Sequence, residues 1–213
     1  MKKILTTVIA CTLAATAAFA QVNIGAGYTG ITHHPSEGDN SWNNGFYLQV
    51  GYNLPLGLGF EFAPALQYNY STRSEDATIG IGNASASVTN RFNEHYLNLP
   101  LMFNYGYEIC PGARIFVFAG PTVSFGLYGD CKVTADASVG NIAASTEKET
   151  IKLWGEDSDY GRWDVKIGGG LGIDIAKHYR IQVGYDYGLV NRFNKDGFKL
   201  HHHGLTAGFS YLF

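Results

Sequence analysis

The sequence has few prolines and cysteines, little charge and, after residue 20, no long apolar run. Its 213 residues include 6 prolines, 3 cysteines and 15% charged residues. No segment after residue 20 holds eighteen consecutive apolar residues, which excludes a membrane-spanning helix there. The net charge is −3, and removal of residues 1–20 with their two lysines would leave −5. This acidic balance argues against a nucleic-acid partner.

Motifs for catalysis and for nucleotide binding are also missing. The sequence contains no G-x-S-x-G and no obvious arrangement of a nucleophile with a histidine base, so a non-enzymatic protein is predicted. A lipid-acting enzyme is the remote alternative. The glycines at 168–172 do not form a dinucleotide loop, because Ile173 or Ile175 would stand at the third glycine and no helix pattern follows.

The first twenty residues have the pattern of a secretory signal peptide. Lys2 and Lys3 precede an apolar stretch over 4–17, and Ala18-Phe19-Ala20 fits a cleavage site. We therefore expect two parts, a signal peptide over 1–20 and a single domain over 21–213. A weaker reading takes residues 8–11, which end at Cys11, as a lipoprotein box.

Apolar residues alternate with small or polar ones along the rest of the chain. A period of two is typical of strands with one apolar face, and eight such runs occur, at 22–29, 46–53, 60–69, 97–105, 115–127, 163–175, 181–189 and 204–213. Connections after odd-numbered runs are long, and the others are short. The pattern predicts an all-β fold, an eight-stranded antiparallel up-and-down transmembrane β-barrel with long extracellular loops.

The last run ends on an aromatic residue, Phe213. Such a terminal strand is similar to the signal by which bacterial outer-membrane barrels are recognised for assembly. The expected location is therefore the cell outer membrane. The expected partners are outer-membrane lipid and, through the strand that ends at Phe213, the barrel-assembly machinery. A soluble periplasmic barrel is the alternative, and the exposed terminal strand argues against it.

The inward-facing positions of the predicted strands decide whether the barrel could conduct. They combine glycines and bulky aromatics with five charged residues, Glu61, Asp164, Lys166, Asp174 and Asp186. Eight strands enclose a space that side chains can fill, so we expect a plugged lumen with a structural network of these charges. A narrow channel, small-solute porin or proton path is the alternative. Since Cys110 and Cys131 lie at opposite ends of strand five, no disulfide is predicted between them.

The second and third long loops carry strand patterns of their own. Gly82-Asn83 and Gly140-Asn141 each stand between alternating arms, which is a hairpin signal. We expect hairpins that protrude beyond the membrane and either offer a sheet edge to a partner or form a solvated rim. Trp42, Trp154 and Trp163 are expected to anchor the strands at the membrane interface.

Five histidines lie at the predicted seam between the first and last strands: His33, His34, His201, His202 and His203. Imidazole is a common ligand of zinc and copper, and three of the five could meet at one ion. Haem is a weaker possibility. The alternative is an exposed histidine-rich loop without an ion, because adjacent residues of a strand point to opposite faces.

Several strands resemble those of PorT-like outer-membrane barrels of Bacteroidetes-type bacteria, within the broader porin family. The resemblance lies in His95-Tyr-Leu-Asn-Leu-Pro-Leu-Met-Phe-Asn-Tyr105, Phe118-Ala-Gly-Pro121, the glycine-rich run at 168–172, 185–191 and 211–213. It implies an eight-stranded outer-membrane barrel. The name-giving protein acts in secretion across the outer membrane, but no motif here transfers that role. We therefore predict a structural or binding role through the extracellular loops.

Overall fold

The computed structural model describes residues 21–36, 38, 40–139, 142–154, 160–193 and 199–213. The predicted signal peptide lies outside these residues. In these residues nine strands form one antiparallel sheet: β1 Gln21–Pro35, β2 Ser41–Gly57, β3 Phe60–Ile81, β4 Ala84–Cys110, β5 Ala113–Val139, β6 Ile142–Lys152, β7 Trp163–Ile175, β8 Tyr179–Gly188 and β9 Leu200–Leu212. Within the described ranges no helix is long and apolar enough to cross a membrane.

Eight of the nine strands close into a ring. Each pairs with its neighbour in the order β1-β2-β3-β4-β5-β7-β8-β9, and β9 returns to β1 from Asn23↔Leu212 to Pro35↔Leu200. In the described residues the ninth strand, β6, pairs only with β5 from Asp130 onward, beyond the last β5–β7 pair, Phe125↔Trp163. The predicted eight-stranded barrel is therefore confirmed, and β6 is an addition outside the ring.

The barrel is inverted relative to a soluble protein, with apolar side chains outside and polar ones inside. Leu171 and Val117 are 65% and 58% exposed on the outer face, whereas Asn53 and Asn98 are buried inside. The two-residue period of a strand produces this division directly. An outer face of this kind avoids water only against lipid.

The two ends of the barrel differ in their connections. At one end, which we call the turn end, the connections are two or three residues long, at 58–59, 111–112 and 176–178. Leu58 and Lys177 have φ of 54° and 65°, an uncommon conformation that such tight turns require. At the other end, which we call the loop end, the strands extend further or run into longer connections.

Aromatic side chains fill the interior where glycines leave room. The Phe118 ring lies over Gly170 and Gly184, and the Phe116 ring lies over Gly172. A Cβ at position 184 would come within 2.8 Å of the Phe118 ring, closer than real contacts allow. These glycines therefore let large rings from the opposing strand occupy the lumen.

Candidate functional site

Four charged side chains close the turn end of the lumen, and we call them the charge network: Glu61, Arg114, Asp174 and Arg180. Arg114 Nη1 donates to Glu61 Oε2 at 3.3 Å and to Asp174 Oδ2 at 3.1 Å. Arg180 donates through Nη2 to Glu61 Oε1 at 3.1 Å and through Nε to Asp174 Oδ1 at 2.7 Å. Each guanidinium thus bridges both carboxylates, and the four charges balance.

Neighbouring side chains fix this network in place. Asn104 Nδ2 donates to Glu61 at 2.7 Å, and the Arg180 guanidinium lies 4.4 Å from the centre of the Phe116 ring. Two of the five predicted lumen charges, Glu61 and Asp174, belong to the network. The two arginines were not predicted, although Arg114 has the same strand parity as Phe116 and so faces inward.

The other three predicted lumen charges lie apart from the network. Asp164 is fully buried, Lys166 is 7% exposed, and the carboxylate of Asp186 lies over Gly168, its cross-strand neighbour. Among the described residues no ion pair joins Lys166 to either acid. The structure therefore brings Glu61 and Asp174 together and leaves the remaining three outside that network.

The loop end is closed by a buried arginine among aromatic rings, which we call the aromatic cap: Tyr96, Trp154, Tyr160, Arg192 and His202. Arg192 is 1% exposed, and its guanidinium lies 4.8 Å, 5.1 Å and 5.9 Å from the ring centres of Tyr160, Tyr96 and Trp154. Its Nη2 donates to the Gly161 carbonyl at 2.7 Å. Cation–π attraction of this kind is strongest where water is excluded.

Glu94 balances the charge of Arg192 beneath the cap. Its Oε2 accepts a hydrogen bond from the Tyr96 hydroxyl at 2.8 Å and lies 3.6 Å from His33 Nε2. Only 2% of Glu94 is exposed. The Tyr96 hydroxyl also accepts a hydrogen bond from Arg192 Nη1 at 3.2 Å, so it links the carboxylate to the guanidinium and neither charge is isolated.

His202 has a defined tautomer within the cap. Its Nδ1 lies 3.0 Å from Arg192 Nη1, and its Nε2 lies 2.8 Å from the Tyr160 hydroxyl. Arginine can only donate, so Nδ1 accepts, and Nε2 carries the proton of a neutral ring. Burial also lowers the pKa of His202 well below its usual value, and it lowers the pKa of His33, which the Glu94 carboxylate partly opposes. Both rings lie beyond the exposed apolar residues of their strands.

The five histidines divide between the two faces of the barrel. His33 and His202 are cross-strand neighbours on the lumen side with ring centres 4.1 Å apart, whereas His34 and His203 lie 4.3 Å apart on the outer side. His201 pairs with His34 in the register. In the part of the chain that the structure describes, no group of three or more His, Cys, Asp or Glu could hold a metal ion. The predicted zinc or copper site therefore has no assembled ligand set there.

Beyond the ring, parts of four strands form a protruding sheet: β3 from Thr72 to Ile81, β4 from Ala84 to Asn93, β5 from Asp130 to Val139, and β6. Gly82 turns the first hairpin with φ of 60°, as predicted. In the second hairpin Val139 pairs with Ile142, and residues 140–141 lie outside the described chain. Among the described residues, the outer edge of β3 has no pairing partner after Thr72, and β6 pairs only with β5.

The two faces of the protruding sheet differ: one mixes apolar residues with the Arg73–Glu75 ion pair, and the other is polar. The face continuous with the lumen carries Val88, Phe92, Cys131 and Ile151, and at its tip Ile79 is 74% exposed. The opposite face continues the outer surface of the barrel. It is rich in hydroxyls, from Thr72, Ser74, Thr89, Thr134 and Thr150.

Comparison with known families agrees with this architecture. The family model described as outer membrane protein β-barrel domain matches residues 16–194. The chain belongs to this family. No curated protein matches its sequence.

Solved structures of outer membrane barrels are similar to this one. Ail, the attachment invasion locus protein of Yersinia pestis in complex with the heparin analogue sucrose octasulfate, has a TM-score of 0.51 at 13% identity, covering 91% of this chain and 99% of that chain. Neisserial surface protein A has a TM-score of 0.42 at 12% identity, with 91% and 99% covered. OprG from Pseudomonas aeruginosa has 0.43 at 9%, with 91% and 96% covered. The similarity to Ail shows a shared fold.

Membership of this family orients the barrel domain. In outer membrane barrels the short turns face the periplasm and the long loops face outward, so the charge network is periplasmic and the aromatic cap external. Trp42 and Trp163 are exposed near the loop end, where interfacial aromatics are expected. The same prediction is wrong for Trp154, which is 5% exposed because its ring folds inward over Gly126 and Gly129.

Proposed function

We propose that this protein is a non-conducting outer membrane barrel that binds a partner outside the cell through its protruding sheet. The observation that carries the first half is the closure of the lumen at both ends. An ion that crossed the barrel would have to displace the salt-bridged charge network and the aromatic cap. Each closure is buried and hydrogen-bonded, so each resists displacement.

The space between the two closures is small. A polar cavity of about 60 Å³ lies there, lined by Asn53, Gln67, Asn104, Arg180 and Gln182 among others. A water molecule occupies about 30 Å³ of liquid, so the cavity suits a few waters and not a hydrated solute. On the periplasmic side a wider space of about 260 Å³ ends at Glu61, Arg114 and Asp174.

Planar-bilayer recording tests the closed lumen. The refolded full-length barrel domain should give no steady current at moderate voltage, with a general porin prepared in the same detergent as the positive control. Steady currents would favour the alternative of a narrow channel or small-solute porin. A lipid hydrolase assay on the same sample tests the other alternative, a lipid-acting enzyme, and no activity above a heat-treated sample is expected.

The protruding sheet supports the binding half of the proposal. Short edges and charges usually protect exposed sheets from association. In the described part of the chain, however, both outer edges lack a pairing partner over many residues. Partner strands add to edges of this kind. The finer resemblance to PorT-like barrels rests on strand residues of the barrel, so it adds no role in secretion to this proposal.

The C-terminal strand supports a further expected partner, the barrel-assembly machinery. The Phe213 amide donates to the Val22 carbonyl at 2.9 Å, and 62% of Phe213 is exposed on the lipid side. Deletion of Phe213 should reduce the amount of protein in the outer membrane of cells but leave refolding of purified protein in detergent unchanged. Equal amounts in the membrane would contradict recognition through this residue.

A further inference from the structure

Two cations stand side by side on the polar face of the protruding sheet. Arg91 and Lys132 are directly opposite each other on β4 and β5. Like charges in this position destabilise a pair of strands. Neither side chain forms an ion pair with a carboxylate of the described residues, and the one side-chain bond of Arg91 is a long contact of 3.4 Å from Nε to Ser74 Oγ.

Nearby acids are engaged or lie further toward the tip. Asp130, the closest along β5, accepts hydrogen bonds from Asn93 Nδ2 at 2.7 Å and the Tyr128 hydroxyl at 2.9 Å. Asp76 and Asp136 share the same face but pair in register with Thr89 and Ser87. Among the described residues, the Arg91–Lys132 pair therefore has no carboxylate counter-ion in direct contact.

Two grooves meet at this pair of cations. One, of about 540 Å³, is lined by Thr89, Arg91, Lys132, Thr134 and Thr150. The other, of about 480 Å³, is lined by Tyr70, Thr72, Ser74, Arg91, Asn93 and Lys132. Neither lining includes a carboxylate of a described residue. A guanidinium, an ammonium and surrounding hydroxyls are donors suited to the oxygens of a phosphate group.

The position of the pair relative to the membrane points to the headgroup level. Tyr70, His95 and Tyr128 form the aromatic row at the top of the apolar outer face. Lys132 lies four residues beyond Tyr128 on the same face, about 13 Å along the strand at about 3.3 Å per residue. The pair therefore lies just outside the apolar layer, on the side of the sheet that continues the lipid-facing surface.

We propose that Arg91 and Lys132 form a site for phosphate groups, carried either by a glycolipid of the outer leaflet or by a soluble polyphosphate. The proposal rests on the proposed function, because it names the ligand class of the protruding sheet. Two cations directly opposite each other lower the stability of the sheet, and the same arrangement provides the binding site.

Two probes separate the two sources of phosphate. The barrel domain in nanodiscs of zwitterionic lipid is titrated with inositol hexakisphosphate by calorimetry. In parallel, the barrel domain is placed in nanodiscs that contain a small fraction of either bisphosphorylated lipid A or its dephosphorylated form. The protein is then transferred to detergent, and mass spectrometry measures the lipid A that each protein retains. R91Q/K132Q should lower the affinity or the retention at least about tenfold.

Two further variants distinguish binding from structure. R162Q/K199Q removes two exposed cations elsewhere on the external side and should change either readout less than about twofold. K132E places a carboxylate opposite Arg91, so it should abolish binding while hydrogen exchange in β4 and β5 slows or stays the same. A merely structural role for Lys132 predicts faster exchange.

Each outcome decides the proposal. If R91Q/K132Q loses inositol hexakisphosphate binding but still retains lipid A, the result supports a soluble ligand. If it loses lipid A retention but still binds inositol hexakisphosphate, the result supports the outer-leaflet lipid. No binding of either probe to the unmodified protein, equal loss in R162Q/K199Q, or equal retention of dephosphorylated lipid would overturn it. A conducting barrel would refute the closed lumen and leave this result unaffected, so the two proposals fail separately.

Discussion

The two closures of the lumen use opposite solutions to one problem. The charge network consists of four balanced charges on four barrel strands, and their positions follow from the register of the sheet. The aromatic cap instead surrounds one arginine with three rings, and Trp154, Tyr160 and Arg192 come from connections beyond the strands. The charge network is therefore part of the barrel itself, whereas the aromatic cap is formed by connections that cover the loop end of the barrel.

The largest effect is expected at the charge network. R180A removes a 4% exposed guanidinium that contacts both Glu61 and Asp174, and leaves two buried carboxylates with Arg114 alone. Breaking a buried network from one side costs about 3–5 kcal/mol of unfolding free energy. Urea titration of the barrel in lipid vesicles measures this loss.

R114A is the matched control for that variant. The Arg114 side chain is 23% exposed, so water can replace part of its contacts and the loss should be smaller. Equal stability of R180A and the unmodified protein would show that the register of the strands, and not the ion pairs, holds this end together.

A smaller and more local effect is expected at the aromatic cap. R192A removes the cation between Tyr96, Trp154 and Tyr160, and loss of the cation–π contacts alone should weaken the cap by about 2 kcal/mol. Glu94 keeps the Tyr96 hydroxyl as its hydrogen-bond partner. Water should then reach the ring of Trp154, whereas the barrel should unfold at the same urea concentration as in the unmodified protein. Emission of Trp154 in a W42F/W163F background reports on the cap alone.

R192K tests the geometry of this contact, since lysine keeps the charge but lacks the planar fork that bonds Gly161. It should shift the Trp154 emission partway. A loss of global stability in R192A equal to that of R180A would remove the distinction between the two closures.

Acid should open the aromatic cap. Burial holds the pKa values of His33 and His202 below 6.5, so both rings are neutral in the folded cap at neutral pH. Below pH about 6.5 the two histidines bind protons in the open state of the cap but not in the closed state. The stability of the closed cap therefore falls as the pH falls. Nearby Arg192, Arg73 and Lys166 reinforce this effect on His33, and Glu94 opposes it.

Trp154 emission between pH 7.5 and 5 measures this opening. H33Q/H202Q, which keeps polar side chains of similar size without titration, should flatten the profile. An unchanged profile in that variant would assign the acid response to other groups.

The sequence was sufficient for the barrel but not for its closures. Strand number, lipid-facing residues and ring closure follow from a period of two, which backbone geometry imposes whatever the tertiary contacts. The arginines of the charge network have the inward parity that could have identified them. Arg192 and Tyr160 lie in connections whose conformation depends on contacts between distant segments, so no local pattern marks them, and Trp154 was misassigned for the same reason.

The separation of the histidines shows a second limit of prediction from the sequence. Barrel closure correctly predicts that His33 and His202 become neighbours, but neighbours on two strands share a face only at matching parity. Two of the five therefore face the lumen. The rest face outward, and Nδ1 of His202 is engaged by Arg192 Nη1 at 3.0 Å.

The last prediction concerns which closure faces which side, and it involves no change in stability. Cys110 is exposed at the turn end, whereas Cys131 is buried within the protruding sheet at the loop end, and both are free thiols. A membrane-impermeant maleimide should leave Cys110 unlabelled on intact cells and label it after the outer membrane is permeabilised. C110S should lose this signal, and C131S should keep it. Labelling of Cys110 on intact cells would show that the barrel has the opposite orientation, with the charge network as the closure exposed to the exterior.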